Sequence, residues 1–166
     1  EYSPSGEFEN RPTIVAQDRA PIASYTSSTA HGVLTIRTSS LVLRYREAGG
    51  AFTATDLTVT PTHGRWHANP SFTRPATGNL GGWVRALDDE QGPVALHPGL
   101  LTRSGWYLLD DSTDALRIGG SPGFASRSTP AGYQDGYFFG YGVHYPTALR
   151  DLRTLSGPAP SPSRAA

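Results

Sequence analysis

The sequence predicts an all-β protein, an antiparallel β-sandwich carrying one short C-terminal helix. Short apolar or alternating runs recur between clusters of Gly, Pro, Asp and Ser, at the spacing of roughly 8–12 residues that such folds show. The chain of 166 residues holds 19 Gly and 14 Pro together with 8 Tyr, 6 Phe and 3 Trp. That balance favours brief strands joined by turns over a disordered chain, which would lack the aromatics needed for a core. Helical periodicity is convincing in one segment only, residues 145–156.

Residues 1–12 read as an extended polar arm, and residues 13–16 and 22–26 as short β-compatible runs. Residues 32–38 form the first firm strand, with Leu34 and Ile36 on the core face. Ser39-Ser40 supplies a turn, and residues 41–46 return with Leu41, Leu43 and Tyr45 on one face, completing a hairpin. Residues 47–50 turn again, and Phe52 with residues 57–60 marks a third strand. Residues 61–80, broken by Pro61, Gly64, Pro70, Pro75 and Gly78, read as loop. Residues 83–87 suggest a short strand, 88–93 a turn, and 94–101 an extended stretch broken at Pro98-Gly99.

Residues 106–111 form a strand running into a turn, residues 116–118 a brief one, and residues 119–132 a loop. Residues 137–141 form an aromatic strand; Phe138 and Phe139 must point to opposite sides, so burial on both faces is expected. In the helix, Pro146 suits the first turn, Ala148, Leu149, Leu152 and Leu155 make the apolar face, and Gly157 followed by Pro158 ends it. The expected organisation is a β-sandwich over residues 1–142, a connecting helix over 143–157 and a Pro-rich linker over 158–166. The absence of Met at position 1 suggests a trimmed N-terminus, and the closing linker suggests the front part of something larger.

Charge and composition exclude several classes of function. Fourteen basic residues, all Arg, balance fourteen acidic ones, and no basic stripe stands out, so nucleic acid is not an expected partner. No stretch approaches the about 20 apolar residues of a membrane-spanning helix. Without Cys there are neither disulfides nor thiolate metal sites. His63 and His67 have helical ligand spacing, but the segment between Pro61 and Pro70 is hostile to helix, and they read as turn histidines; no metal and no cofactor is expected. Asp88-Asp89 and Asp110-Asp111 are adjacent carboxylates, whereas a retaining glycosidase needs two about 5 Å apart on opposite sides of the sugar. Neighbours in a strand diverge, so both pairs read as turn and cap residues. No nucleophile motif or phosphate loop is present; Gly119-Gly120-Ser121-Pro122-Gly123 reads as a loop. Trp66, Trp83 and Trp106 either pack or stack on sugars, and Trp106, following Arg103-Ser104-Gly105, is the first candidate for ligand contact.

From Asn79 onward a series of motifs runs in order: Asn79-Leu80-Gly81-Gly82, Asp88, Gly92-Pro93-Val94, Pro98-Gly99-Leu100-Leu101-Thr102-Arg103-Ser104-Gly105-Trp106, Asp110-Asp111-Ser112, and the aromatic and helical segment 133–157. In this order they resemble the N-terminal portion of glycoside hydrolase family 31, and the likeness covers most of the chain. The resemblance implies a β-sandwich of the galactose-mutarotase-like type. It also implies a noncatalytic role: packing on a (β/α)8 barrel that carries both catalytic Asp residues of a retaining α-glycosidase, and framing the pocket for an α-glycoside. No catalytic residue is expected within the chain itself. The substrate-binding candidates are Arg103, to donate hydrogen bonds to sugar hydroxyls, and Trp106, to stack, with Asp110 and Asp111 holding loop geometry behind them. Two positions depart from the pattern: Ser104 stands where many relatives have Asp, and Gly136 where they often have Trp. The alternatives are a stand-alone carbohydrate-binding module and a truncated structural remnant.

Overall fold

The structure is a computed structural model and describes residues 1–17, 23–84, 91–119 and 123–158. It is all-β with antiparallel sheets and one C-terminal helix, as the sequence predicts. Strands β1 (Thr26–Ala30), β2 (Val33–Arg37), β3 (Leu41–Arg46) and β4 (Leu57–Pro61) form a four-stranded sheet in sequential order. Strands β5 (Trp106–Asp110) and β8 (Gly136–Gly140) pair with each other, as do the two-residue strands β6 (Leu116–Arg117) and β7 (Phe124–Ala125). Helix α1 spans Tyr145–Ser156.

Local chemistry explains the register of the large sheet. Ala30 pairs with Val33 across a two-residue turn in which His31 and Gly32 both have positive φ, 51° and 72°, the backbone hand that a tight hairpin requires. Gly32 therefore belongs to the turn rather than to a strand. At the Ser39-Ser40 turn, the Thr38 hydroxyl accepts hydrogen bonds from the amides of Ser40 and Leu41, at 3.2 and 3.0 Å. The pairings Leu34–Tyr45, Ile36–Leu43, Leu43–Val59 and Tyr45–Leu57 then gather the apolar side chains on one face. β1 pairs along the edge of this sheet although every residue of it is exposed. Its polar Thr-Ser-Ser-Thr-Ala sequence gives no apolar alternation, and it lies C-terminal to most of the predicted 22–26 run, whose Ile22 is outside the described residues.

Strands β5 and β8 separate two cores. Trp106 and Phe138 face the large sheet and join a cluster with Val59, Ala68, Leu41 and Leu43. Phe139, Tyr107, Leu109 and Tyr137 face the other way and pack with Ala16, Leu100 and the helix residues Ala148 and Leu155. The expected two-sided burial of Phe138 and Phe139 is thus realised. Gly136 and Gly140 share a face with Phe138 because side chains alternate along the strand. A methyl at Gly140 would lie 2.6 Å from the Trp66 ring, and one at Gly136 would lie 3.0 Å from Phe72. Both glycines make room for aromatic rings supplied from the 61–80 segment.

Several features of the helix and connections differ from expectation. Leu149 is half exposed, and the buried face of α1 runs through Tyr145, Ala148, Leu152 and Leu155, one position around from the predicted stripe. Residues 94–101, expected as an extended stretch broken at Pro98-Gly99, form no regular strand. Instead, residues 79–84 and 91–102 make an irregular two-stranded arm held by isolated bridges, Asn79 with Thr102 and Trp83 with His97. The Asn79 carboxamide accepts from the amides of Gly81 and Gly99 and donates to the Gly99 carbonyl, at 2.9, 3.0 and 2.7 Å. Gly82 and Gly99 meet so closely that a Cβ on Gly82 would fall 2.6 Å from the Gly99 Cα. Of the predicted 83–87 strand and 88–93 turn, residues 85–90 lie outside the described residues, as do residues 120–122 of the predicted loop and residues 159–166 of the linker. Phe124–Ala125 forms β7 within the stretch expected to be loop.

The N-terminal arm is threaded through the fold. Tyr2 bridges Gln134, Thr13 bridges Leu116, and the Gln17 amide donates to the Leu155 carbonyl at the end of α1. The packing around β8 yields a test. Gly140→Ala is expected to destabilise the protein by about 1–3 kcal/mol, because the rigid Trp66 ring must move. Gly119→Ala, where a methyl meets nothing within 4 Å, should be near neutral. Urea-denaturation midpoints of the two variants check the contrast.

Candidate functional site

The candidate residues divide between the two ends of β5, about 13 Å apart along the strand. At the N-terminal end, residues 102–105 form a turn in which the Gly105 amide donates to the Thr102 carbonyl at 3.2 Å. Gly105 has φ 76° and approaches Gly142 so closely that a Cβ would lie 2.7 Å from the Gly142 Cα. Its carbonyl accepts from the amides of Tyr141 and Gly142, at 3.0 and 2.8 Å. On the other side the Arg103 amide donates to the Gly78 carbonyl at 2.8 Å, and the Ser104 hydroxyl donates to the Thr77 carbonyl at the same distance. Below the turn, the buried Tyr141 hydroxyl accepts from the Thr102 amide at 2.7 Å and donates to the Leu100 carbonyl at 2.8 Å. The turn is bound on every side, and Arg103 is presented outward from it.

Arg103 lines an open groove of about 480 Å³. The opposite wall comes from residues 61–66, in a loop closed by reciprocal 2.9 Å hydrogen bonds between Val59 and Ala68. That loop places His63, Arg65 and the partly exposed Trp66 in the groove, and His144 completes it at the N-terminus of α1. Sequence reasoning missed Arg65 and His144 as companions of Arg103 because the three are distant along the chain. It considered Trp66 as a sugar-stacking residue and His63 as a metal ligand, and nothing in their spacing linked them to Arg103.

Trp106 is not an exposed platform. It is 9% exposed and its ring stacks on Phe138 at 5.9 Å within the core. The alternation of β5 is the reason, since Trp106 shares the inward parity of Leu108. The exposed tryptophan is Trp83, 56% accessible and stacked on His97 at 4.3 Å on the arm.

The far end of β5 is structural chemistry. Asp110 is exposed and accepts from the Ser112 amide at 2.9 Å and from its hydroxyl at 2.5 Å, a turn-forming role. Asp111 is fully buried. Its Oδ2 accepts from the Thr13 hydroxyl at 2.9 Å and lies 3.8 Å from the Arg127 guanidinium. Arg127, whose side chain has no exposed surface, donates to Asp135 Oδ2 at 2.5 Å, to the Glu9 carbonyl at 3.1 Å and to the Asp111 carbonyl. It also sits 5.2 Å over the Tyr133 ring. Asp88-Asp89, the other carboxylate pair, lies outside the described residues. Among the described residues no group of three His, Asp or Glu side chains could hold a metal ion.

Burial pushes the Asp111 carboxyl up to about 6; the Thr13 hydroxyl opposes that rise, while the nearby Asp135 and Asp114 add to it. The folded protein therefore holds this proton more tightly than the unfolded chain, whose ordinary value is 3.8. Its contribution to stability is complete below about pH 4 and is lost as pH rises toward 6. Glu9 works in the opposite sense: the Arg11 guanidinium holds it at about 2, a contribution lost only as pH falls from 4.5 toward 2. Between pH 4.5 and 6 the Asp111 effect is separable, and Asp111→Asn should flatten the decline in thermal midpoint across that range. Arg127→Met leaves Asp135 buried without its cation and is expected to cost about 3–5 kcal/mol in urea unfolding. No protein-family model matches this chain, and no curated protein matches it.

Proposed function

We propose that the chain is a noncatalytic all-β domain of a retaining α-glycoside hydrolase, packing against a catalytic (β/α)8 barrel and framing its substrate pocket. The ordered motifs from Asn79 to Gly157 support this reading, as does the use each motif finds in the fold. The Asn79 motif builds the arm, the Arg103 motif builds the groove wall, and Asp110-Asp111-Ser112 ties off β5. The observation that carries the proposal is the joining of two surfaces. The arm exposes Leu80, Trp83 and Leu96, and its base is hydrogen-bonded to the turn that presents Arg103 to the groove. An apolar arm rooted in a polar groove wall suits a domain whose arm docks on a neighbour while the groove edges a ligand pocket.

A second reading, a stand-alone carbohydrate-binding module, draws support from Trp83, an exposed aromatic of the type such modules use as a platform. Isothermal titration of the chain with methyl α-glucoside and methyl α-xyloside separates the two. The domain reading expects no saturable binding of these neutral sugars by the chain alone. Saturable binding abolished by Trp83→Ala would instead establish the module. The domain reading also expects the reading frame after Ala166 to encode a barrel strand and an Asp nucleophile motif, and a stop codon there would overturn it.

A further inference from the structure

The groove beside Arg103 concentrates one sign of charge in a protein of zero formal net charge. Arg65 and Arg103 line it with His63 and His144, and no Asp or Glu does so. Among the described residues neither guanidinium has a carboxylate partner, in contrast with Arg11 and Arg127, which are both engaged. A guanidinium is charged at every accessible pH and presents a flat fork of donors that matches the oxygens of a carboxylate or phosphate. The groove also receives the N-terminus of α1, a 12-residue helix with no acidic residue in its first turn, so the positive end of the helix dipole is uncompensated there. The space, about 480 Å³, is within the range of small-molecule sites.

The groove has an aromatic element as well as a cationic one. Trp66 lies over Gly140 and Gly142, where a Cβ would fall 2.6 and 3.4 Å from the indole ring. It is braced by Phe138 at 6.0 Å, so the ring is fixed by packing rather than free to swing. A saccharide presents an apolar face of C–H groups that packs on such a ring, and hydroxyls that accept hydrogen bonds from arginine.

We propose that this groove binds a saccharide unit bearing an anionic group. The carboxylate or phosphate oxygens are held between Arg65 and Arg103, and the sugar ring lies against Trp66. The proposal rests on the domain reading for its choice of a saccharide and deepens it, naming the class of ligand that the groove beside Arg103 would take.

Titration of the full 166-residue chain at low ionic strength, followed by calorimetry or amide chemical shifts, tests the proposal with four probes: glucuronate, glucose 1-phosphate, glucose and inorganic phosphate. At least one anionic saccharide should bind about tenfold or more tightly than both glucose and phosphate. Preference for glucuronate assigns a carboxylate ligand, and preference for glucose 1-phosphate a phosphate ester. The double variant Arg65→Gln/Arg103→Gln, in exposed positions that the fold does not rely on, should lose that advantage. Ser104→Asp, which places a negative charge like the ligand's own in the groove wall, should weaken binding in the same direction. Equal binding of glucose, equal binding of inorganic phosphate, or unchanged binding by the double variant would each overturn the proposal. None of these outcomes bears on the frame downstream of Ala166, so failure here and failure of the domain reading remain distinguishable.

Discussion

The buried guanidinium of Arg127 is the constraint on which the rest of the structure depends. Removing a charge from water is costly, and an interior guanidinium is tolerable only where several partners stand close by; both terminal nitrogens of Arg127 have them, while its Nε has none among the described residues. Here the partners come from separate parts of the chain: the Glu9 carbonyl from the N-terminal arm, the Asp111 carbonyl from the end of β5, and the Asp135 carboxylate just before β8. One side chain therefore fixes where the arm lies and how β5 and β8 begin their pairing. The Ser112 hydroxyl reinforces the same junction, accepting from the Asp135 amide at 3.0 Å. Tyr133 closes it from above with a ring face and a hydroxyl that accepts from Arg127 at 3.3 Å.

With that end secured, the two-stranded β5–β8 ladder can serve as the middle of the molecule. Its alternation sends Trp106 and Phe138 toward the large sheet and Tyr107, Leu109 and Phe139 toward the helix. A two-stranded ribbon is not stable alone in water, and burial on both faces compensates for its narrowness. The glycines of β8 matter for the same reason. By omitting a side chain at positions 136 and 140, the strand lets Phe72 and Trp66 lie against it, so the irregular 61–80 segment contributes core rather than mere connection. The groove wall is a by-product of this packing, since the loop that delivers Trp66 also delivers His63 and Arg65.

Most of the strand framework was legible from alternation: β2, β3, β4, β5 and β8 all carry apolar side chains at every second position or aromatics on both faces. α1 was legible from Pro146, its leucines and Gly157, although Leu149 stands outside the buried stripe of Tyr145, Ala148, Leu152 and Leu155. β1 was not, since an exposed edge strand of Thr and Ser is held by backbone pairing alone. Among site residues, Arg103 was readable as a loop residue, and Asp110 as a turn former. The burial of Trp106 follows from the parity of Leu108, but its position after a Gly-containing turn suggested exposure. Asp111 was readable as a residue holding loop geometry, but its burial and partners were not legible, because the groups that hold it, Thr13 and Arg127, lie 98 and 16 residues away.

The threading of the N-terminal arm has a consequence for the order of assembly. Tyr2 finds its partner at Gln134, Thr13 at Leu116 and Gln17 at Leu155, so residues 1–17 have almost nothing to hold until the final third of the chain exists. Contacts so distant carry a large loop-closure entropy, and proteins rich in them fold slowly. On a ribosome, the hairpins of β1 to β4 can form while the arm trails as unstructured chain. The contacts of Thr13, Ala16 and Gln17 can form only after β6, β8 and α1 have emerged.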